Sequence, residues 1–449
     1  MTSTLSRGQP TAAPLLSAAA AALFLSLAGC AGEGDASGTT ADSSSARAAA
    51  AIRCAPDNGG ITLPDGFCAS VYADGLGGPR HLVVRENGDV IVVRRSGPSG
   101  EGGVVVLRDT TGDGMSDVRQ SFGPMGGTGV ALLGDRLLVD AKNVVLRYVL
   151  PAGSLQPAGA PDTAVLDIPT GGHEAHSLAL DGQGSLFLNI GSRTNSCQRE
   201  DRQPRSRGVD PCAELRERAG IWRLRADGTA QRPTTATRYA TGIRNAVAMS
   251  VDPRGQLWAA QMGRDQFLQN WPALYSEQES AEQPGEELLR VEPGQDYGWP
   301  YCYWDTGRSA RVLAPEYGGD KERVGRCADR AKPVVTFPGH WAPIDMLFYT
   351  GRLFPAKYRD GVFIAFHGSW NRAPLPQAGY DVRFQPLSGG LPSGELETFA
   401  GGFAGERVQP GAAAHRPIGL AQGPDGALYV SDDKGGRIWK IVYAGAGGP

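Results

Sequence analysis

One hydrophobic pattern recurs six times along the chain. It consists of an apolar stretch, a turn that contains Gly or Asp, and a second stretch in which apolar and polar residues alternate. The copies occupy residues 81–95, 129–148, 176–192, 246–263, 344–369 and 418–441. Each copy predicts two short strands joined by a tight turn, usually followed by a third strand. Long insertions separate some copies, so their spacing is uneven.

This repeat predicts the fold class. Small antiparallel units in series are typical of propeller blades, so we expect an all-β protein, a six-bladed β-propeller in a single domain. A β-sandwich is the alternative, but sandwiches do not usually repeat one hairpin six times. Residues 67–76 are expected to supply a strand that closes the ring with the last blade. Helical patterning is confined to 212–219 and 276–283.

The first thirty residues are typical of a bacterial export signal. Arg7 precedes an apolar run from Leu15 to Ala28, which is too short to span a bilayer but suits the core of a signal peptide. The run ends in Leu-Ala-Gly-Cys, which resembles a lipobox, so Cys30 is expected to be lipidated. The alternative is an ordinary secretion signal in which Cys30 has no special role.

These features divide the chain into a lipoprotein signal peptide (1–29), a flexible tether (30–51) and the propeller (52–449). Residues 31–50 contain no large apolar side chain and cannot bury a core. Two acyl chains on Cys30 would hold the protein stably on a membrane. We therefore expect an exported cell-envelope lipoprotein on the periplasmic or extracytoplasmic side.

The cysteine count agrees with export. Seven cysteines less the lipidated one leave six, an even number, and they fall into local pairs. Six cysteines allow about 15 connectivities, of which we expect nearest-neighbour pairing: Cys54–Cys68, Cys197–Cys212 and Cys302–Cys327. A thiolate metal site, the competing interpretation, would need two cysteines separated by only a few residues, and no such spacing occurs.

Composition and motifs exclude several function classes. The chain has 44 basic and 47 acidic residues and a net charge of −3, and no basic cluster points to nucleic acid as a partner. It contains no G-x-S-x-G elbow, no dinucleotide-binding G-x-G-x-x-G before a helix, no P-loop and no H-E-x-x-H zinc motif.

Three histidines occupy corresponding ends of blade elements: His173, His340 and His367. Loops above the innermost strands of a propeller converge on its central channel, so these side chains are candidates for chemistry. A histidine suits a general base because its ordinary pKa lies near neutrality. For each one alone, a structural hydrogen-bonded role is the alternative.

Arg244, Asn245 and Arg416 stand at similar strand entrances. An arginine fork can hold a carboxylate by two bonds, so several arginines aimed at one cavity would suit a multiply anionic ligand. The alternative for each arginine is an ordinary surface position.

One acidic loop is a candidate calcium site. Asp109, Asp113 and Asp117 follow the spacing of half an EF-hand loop, but Gln120 stands where the bidentate Glu should be. A weak calcium loop and a plain turn between strands both stay open.

Several longer segments carry a resemblance to a known family. They are GGH (171–173) with LFLNIGS (186–192), TGIRNAV (241–247), PGQDYGWPYCY (293–303), FYTGRLFPAKYRDGVFIAFHGSWNR (348–372) and RPIGLAQGPDGALYVSDD (416–433). From about Ile61 to Val442 the chain resembles the glucose/sorbosone dehydrogenase family of quinoproteins. Members of that family are six-bladed propellers that use pyrroloquinoline quinone and Ca²⁺. The later segments are most similar to the sorbosone dehydrogenase branch.

The resemblance implies roles for individual residues. His173 matches the catalytic base, and Arg244 and Asn245 match residues that face the quinone and substrate oxygens. The backbone carbonyls of Gly263 and Arg264 match calcium ligands. Three further residues match contacts with the cofactor: His340, His367 and Arg416.

The sequence departs from the family at two of its contacts. A second arginine found in some relatives is replaced here by Ile418, and a glutamine of the second blade has no counterpart in residues 123–129.

The resemblance implies a quinoprotein oxidoreductase that oxidises a sugar or a sugar-derived aldehyde. The electrons would pass to an external acceptor. Two alternatives stay open: a non-catalytic envelope propeller that binds carbohydrate or protein, and a Ca²⁺-dependent lactonase.

Overall fold

The computed structural model describes residues 52–94, 103–123 and 126–445. The predicted signal peptide, Cys30 and the tether lie outside these residues. No helix in the part that the structure describes is long and apolar enough to cross a membrane.

The described residues form six antiparallel blade sheets and one separate two-stranded hairpin, so the predicted all-β six-bladed propeller is confirmed. The first strand in the chain is β1 (Phe67–Ala73), which belongs to the last sheet. Blades 1 to 3 contain, from the inside outward, β2 (Pro79–Val84), β3 (Val90–Arg94), β4 (Gly103–Arg108) and β5 (Val118–Phe122); β6 (Val130–Leu133), β7 (Arg136–Asp140), β8 (Val145–Val149) and β9 (Asp162–Val165); and β10 (Leu178–Leu180), β11 (Ser185–Ile190), β12 (Gly220–Arg225) and β13 (Arg238–Thr241).

Blades 4 to 6 follow the same order, with one extra hairpin inserted in the fourth. Their strands and the hairpin are β14 (Ala248–Val251), β15 (Leu257–Gln261), β16 (Glu286–Arg290), the hairpin β17 (Cys302–Asp305) and β18 (Ala310–Leu313), and β19 (Val335–Phe337); β20 (Pro343–Phe348), β21 (Gly361–Phe366), β22 (Asp381–Ser388), β23 (Leu391–Pro392) and β24 (Glu397–Ala400); and β25 (Pro417–Gln422), β26 (Leu428–Asp432) and β27 (Ile438–Tyr443).

The ring is closed by pairing between the two ends of the propeller. Strand β1 runs antiparallel to β27, with Phe67 opposite Tyr443 and Val71 opposite Trp439. The closing strand predicted within residues 67–76 is therefore confirmed. The innermost strands β2, β6, β10, β14, β20 and β25 each contact the next one around the ring, and β25 contacts β2.

The middle strands of the blades are largely buried. Strands β11 and β21 are buried at every position, because both of their faces are covered by neighbouring blades. In β1, Phe67 meets the rings of Phe354, Phe399 and Tyr443 edge-on, which ties the closing strand to blades 5 and 6.

The insertions form short helices and the hairpin β17–β18. The α-helices are α1 (Phe267–Asn270) and α2 (Glu277–Glu282), and the 3₁₀ turns are Ala213–Arg216, Thr235–Thr237, Pro315–Tyr317, Gly325–Cys327 and Ala356–Tyr358. The turn at 213–216 and the helix α2 lie within the two segments that the sequence marked as helical. Ser276 and Glu279 form a capping box that satisfies the first N–H groups of α2.

All three predicted disulfides are present: Cys54–Cys68, Cys197–Cys212 and Cys302–Cys327. The second and third share a small apolar core with Trp299 and Tyr301. Each disulfide therefore closes a loop within its own insertion, and the shared core packs the two insertions against each other.

Replacing Phe67 by Ala should loosen the closure of the ring. We expect Phe67→Ala to lower the free energy of unfolding by about 3–5 kcal/mol, because it removes a buried ring and leaves a cavity. Urea unfolding followed by circular dichroism measures the change. Leu391→Ala, at a side chain that is 65% exposed, is the matched control and should change it by less than about 0.5 kcal/mol. Equal midpoints for the two variants would contradict the role of Phe67.

Candidate functional site

Two sets of strand ends lie on one face of the propeller. The innermost strands all begin there, and the second strands β3, β7, β11, β15, β21 and β26 all end there, because an antiparallel second strand returns in the direction from which the first came. We call this face the mouth. Its rim segments are 126–129, 173–177, 191–195, 243–247, 262–266, 339–342, 367–372 and 413–416.

His173 lies half-buried at the mouth, just before β10. Its Nδ1 is 2.8 Å from the carbonyl oxygen of Ser192 and 3.1 Å from the Oγ of the same residue. A carbonyl oxygen only accepts, so Nδ1 must carry the hydrogen and Nε2 keeps its lone pair. Ser192 thereby holds the ring in the tautomer that a general base at Nε2 requires.

The electrostatic surroundings keep His173 neutral. Burial is the main cause, and the guanidinium of Arg244 acts in the same direction; together they lower the pKa of His173 to about 3. The ring therefore carries no charge at neutral pH, and its Nε2 is available to accept a proton.

Arg244 is buried just before β14, and its guanidinium has one defined orientation. Its Nε and Nη2 donate to the main-chain and side-chain oxygens of Asn195 at 3.2 and 3.1 Å. Its Nη1 donates to the carbonyl of Gly263 at 2.7 Å, and Nη2 also donates to Asp265 Oδ2 at 3.0 Å.

Asn245 and His173 approach each other across Gly191. A Cβ at Gly191 would lie 2.6 Å from the Cβ of His173 and 2.9 Å from Oδ1 of Asn245, so a larger residue would push the two apart. Oδ1 of Asn245 is buried and makes no hydrogen bond, while Nδ2 lies 3.8 Å from the sulfur of Met262. Asn245 thus has a hydrogen-bond acceptor that the protein itself does not use.

Asp265 connects Arg244 to the next part of the rim. Its Oδ2 accepts from Arg244 and Arg202, and its Oδ1 accepts from Nδ2 of Asn371 at 2.9 Å. Burial alone would raise the pKa of Asp265, but the neighbouring positive charges, that of Arg244 above all, outweigh burial and lower the pKa to about 2. Asp265 is therefore a permanent anion among cations.

His340 contributes to the same cluster. Its Nε2 lies 2.9 Å from the carbonyl of Ser280 and must donate to it, so Nδ1 accepts from Nδ2 of Asn371 at 3.3 Å. Nδ1 is also 3.7 Å from Asp265 Oδ1. Burial lowers the pKa of His340, so this ring is neutral as well.

A second cluster surrounds His367 and Arg416. Nε2 of His367 is 2.7 Å from Asp433 Oδ1, and the other oxygen of Asp433 accepts from Arg80 at 2.7 Å. Nε and Nη2 of Arg416 donate to the carbonyls of His367 and Gly368, both at 2.8 Å. Burial lowers the pKa of His367, and Asp433 opposes that effect.

His176 lies fully buried next to these clusters rather than at their surface. Its Nδ1 is 3.1 Å from Asp140 Oδ1, and the other oxygen of Asp140 accepts from the N–H of Thr128. Thr128 in turn accepts from Arg80. This chain of bonds joins blades 1, 2 and 3 below the rim and makes His176 a structural neighbour of the site.

The two carbonyls expected to bind calcium follow β15 at the mouth. The carbonyl of Gly263 accepts from Arg244, and its N–H donates to the buried carboxyl of Glu286 at 2.7 Å. A carbonyl oxygen has two lone pairs, so the bond from Arg244 leaves one. Calcium binding by Gly263 and Arg264 stays a prediction.

The acidic loop lies on the face opposite the mouth, where β4 ends. Asp109 accepts from the N–H groups of Thr111, Gly112 and Gly114, and Asp117 accepts from Thr110. The carboxylates of the acidic loop therefore hold the turn by hydrogen bonds, and Asp109 and Asp117 contribute most of these bonds. Among the residues that the structure describes, the one group of three close metal-ligand types is Cys197, Cys212 and Glu214, whose cysteines form a disulfide.

The sequence matches the TrAA12-like family model over residues 61–444. The chain belongs to the TrAA12-like family. The predicted resemblance to quinoprotein propellers is confirmed at the level of the family. Membership of the sorbosone dehydrogenase branch stays a prediction.

Two solved structures share the fold of this TrAA12-like chain. One is a Trichoderma reesei protein of Carbohydrate-Active Enzymes Family AA12, with a TM-score of 0.69 at 19% identity over 86% of this chain and 98% of that one. The other is the holo form of the PQQ domain of pyranose dehydrogenase from Coprinopsis cinerea, with a TM-score of 0.68 at 19% identity over 87% and 98%. These likenesses concern the fold.

A curated relative of the TrAA12-like chain is the pyrroloquinoline quinone-dependent pyranose dehydrogenase of Coprinopsis cinerea. It is 31% identical over 168 residues, which cover 32% of this chain and 22% of the relative. The chain spans less than half the length of the curated relatives it matches.

The structure brings most of the predicted site residues together. Arg244 and His340 lie against Asp265, and Gly263 accepts from Arg244. His173 lies beside Asn245 across Gly191, and His367 and Arg416 form the second cluster. The segment 367–372 joins the two clusters. The loop with Asp109, Asp113 and Asp117 is remote from both.

Sequence reasoning missed the carboxylates that organise this TrAA12-like site. Asp265 stands directly after the proposed calcium carbonyls, and Asp433 follows the end of β26. Both positions resemble that of His367, since all three residues follow the second strand of a blade. Position alone was thus a usable signal for them, whereas the role of Asn195, which lies in an insertion, had none.

The structure shows what occupies the region where some relatives have a second arginine and this chain has Ile418. Ile418 is fully buried in the core of blades 5 and 6. Arg80, from blade 1, instead brings a guanidinium toward His367, and both Arg80 and Arg416 act to lower the pKa of that histidine.

Histidine NMR can test the geometry of His173 directly. We expect its ring to be neutral with the hydrogen on Nδ1 throughout the range from pH 8 to pH 5, because its pKa of about 3 lies far below. ¹⁵N-edited spectra of ¹⁵N-histidine-labelled protein report tautomer and charge, and His173→Gln assigns the signal. An Nε2-protonated ring, or titration near pH 6.5, would contradict the arrangement with Ser192.

Proposed function

We propose that this chain is an exported quinoprotein oxidoreductase. It oxidises a sugar, or a sugar-derived aldehyde in its hydrated form, with pyrroloquinoline quinone and Ca²⁺, and an external acceptor takes the electrons. The observation that carries the proposal is the neutral His173, whose Nε2 lone pair is kept unprotonated at the mouth beside Arg244. The names of the TrAA12-like relatives support the class of reaction.

The residues of the mouth fit a planar quinone that carries carboxylates. The guanidinium groups of Arg244, Arg416 and Arg80 gather there and suit anionic groups. Asn245, beside Arg244, buries an Oδ1 atom without a partner. A native site seldom leaves such an atom unsatisfied, so it is suited to a bound group.

The residues that would hold such a cofactor are already fixed by hydrogen bonds within the protein. Arg416 and His367 would contact it on one side and His340, Arg244 and Asn245 on the other. When bound, pyrroloquinoline quinone supplies the electron-pair acceptor, and Ca²⁺ at the carbonyls of Gly263 and Arg264 supplies a Lewis acid.

The protein supplies the proton acceptor and the charge stabilisation. His173 Nε2 takes the proton of the sugar hydroxyl, while Ser192 holds Nδ1–H and keeps the ring oriented. As the ring gains charge, Asp265 favours it, since this carboxylate raises the pKa of His173. Arg244 and Asn245 are positioned before the reaction, so they stabilise developing negative charge without reorganising.

We also propose that the protein acts at the cell envelope, held by lipid on Cys30 after removal of residues 1–29. The motif before Cys30 and the three disulfides support an oxidising, extracytoplasmic location.

Reconstitution tests the proposal. The mature protein is freed of cofactor, pyrroloquinoline quinone and Ca²⁺ are added, and dye reduction is followed with a panel of aldoses and aldehydes. Binding of the quinone with sugar-dependent dye reduction is expected. The absence of both quinone binding and dye reduction would overturn the proposal. Lactone hydrolysis that needs Ca²⁺ alone would instead identify the protein as a lactonase.

Removing the base should abolish turnover and spare cofactor binding. We expect His173→Ala to lower kcat by about 10²–10⁴-fold, the usual contribution of a general base, with an unchanged quinone spectrum. Ser192→Ala is the graded control: it removes the 3.1 Å contact to Oγ but keeps the carbonyl bond, so the loss should be small. Near-normal turnover in His173→Ala would make His173 structural.

Removing a cofactor cation should weaken quinone binding. We expect Arg416→Ala to raise the Kd for pyrroloquinoline quinone by about 10–100-fold, since a hydrogen bond to a charged group contributes about 1.5–3 kcal/mol. Fluorescence titration measures the Kd. Arg232→Ala, at a side chain that is 57% exposed on the surface, is the matched control and should bind like wild type. An unchanged Kd in Arg416→Ala would exclude it as a contact.

A further inference from the structure

One aromatic side chain at the mouth stands out by its exposure. All eight tryptophans lie within the described residues, and Trp370 alone is exposed, at 57%. Indole rings are usually packed away, as Trp222, Trp258 and Trp439 are here. An exposed tryptophan beside a candidate site therefore calls for an occupant.

The backbone places Trp370 between the two clusters of the site. His367 and Gly368 accept from Arg416, while Asn371 donates to Asp265. Neighbouring Cα atoms are about 3.8 Å apart, so the indole starts one residue from the Asp265 cluster and three residues from His367.

The residues that flank Trp370 are held rigidly. The Ser369 carbonyl accepts from Tyr380 Oη at 2.6 Å, and its hydroxyl is bonded to Gln377 and to the N–H of Ala378. On the other side, Arg372 Nη1 donates to the carbonyls of Ala281 and Gly339. An exposed ring on so fixed a backbone is a preformed platform, which binds without a large ordering cost.

A second observation points to a ligand at the same place. Oδ1 of Asn371 is buried and has no hydrogen-bond partner, although Nδ2 of the same amide bonds to both Asp265 and His340. Those two bonds fix the amide orientation, because Asp265 only accepts. The orphaned oxygen needs a donor from outside the protein.

We propose that Trp370 and Asn371 form a sugar-binding subsite at the rim of the mouth. The indole packs against the C–H face of a pyranose ring, and Oδ1 of Asn371 accepts from a hydroxyl of that sugar. This inference rests on the proposed function and adds to it the residues that recognise the ring as a whole.

The surroundings favour a sugar over a protein partner. Trp370 is the one large apolar side chain exposed on the rim segments of the mouth, whereas protein docking usually uses a contiguous apolar patch. One aromatic face among polar groups matches a pyranose, which has both C–H and O–H surfaces. Docking of the electron acceptor at Trp370 is the competing outcome of the test.

Calorimetric titration of the mature protein with glucose, xylose, cellobiose and maltose tests the subsite in the absence of an electron acceptor, so that the enzyme cannot turn over repeatedly. It is carried out in cofactor-free protein and again after addition of pyrroloquinoline quinone and Ca²⁺. We expect Trp370→Ala to raise the Kd of the bound sugar about tenfold, the scale of one aromatic contact. Trp370→Phe should raise it less, and Asn371→Ala should weaken binding too. Leu391→Ala is the control for loss of an exposed apolar side chain and should bind like wild type.

Three results would overturn the inference. They are an unchanged sugar Kd in Trp370→Ala, no binding of any of these sugars to wild type in either state, and an effect of Trp370→Ala confined to the KM of the electron acceptor. The proposed function is judged separately, by quinone binding and dye reduction. Sugar binding that depends on Trp370 without quinone binding would keep the subsite and reject the quinoprotein. Dye reduction with an unchanged sugar KM in Trp370→Ala would keep the quinoprotein and reject the subsite.

Discussion

The pairing of β1 with β27 is the constraint on which the site depends. It joins the first described strand to the last and closes six sheets into a ring. Closure brings Arg80 and Asp433, which are 353 residues apart in the chain, to 2.7 Å. Without it, the segments that precede the innermost strands would not converge, and the mouth would not exist as a single surface.

Within that ring, two carboxylates set the geometry of the mouth. Asp265 holds Arg244, Arg202 and Asn371, and Asp433 joins Arg80 to His367. A buried guanidinium is costly unless it is paired and hydrogen-bonded. The pairs therefore keep cationic groups in place before any ligand arrives. One of these cations, Arg244, acts together with burial to keep His173 neutral with its Nε2 lone pair available.

Much of the fold could be predicted because its signals are local. Each blade hairpin carries its own alternation and turn residues, and the closing strand shows the same pattern. The short separation within each cysteine pair made the disulfides predictable. The hairpin β17–β18 and the helix α1 were missed, since their segments lack a repeat and owe their structure to packing against neighbouring insertions, as with Phe267 against Tyr275 and Tyr303.

The sequence by itself determined the six-bladed all-β fold, the disulfides and the positions in the chain from which His173, Arg244, His367 and Arg416 project. Strand periodicity and turn chemistry are properties of neighbouring residues, so they can be read along the chain. Only the tertiary structure decided the tautomer of His173, the linking role of Asp265 and the exposure of Trp370. Each of these depends on groups that are not neighbours in sequence, and such contacts exist only in the folded propeller.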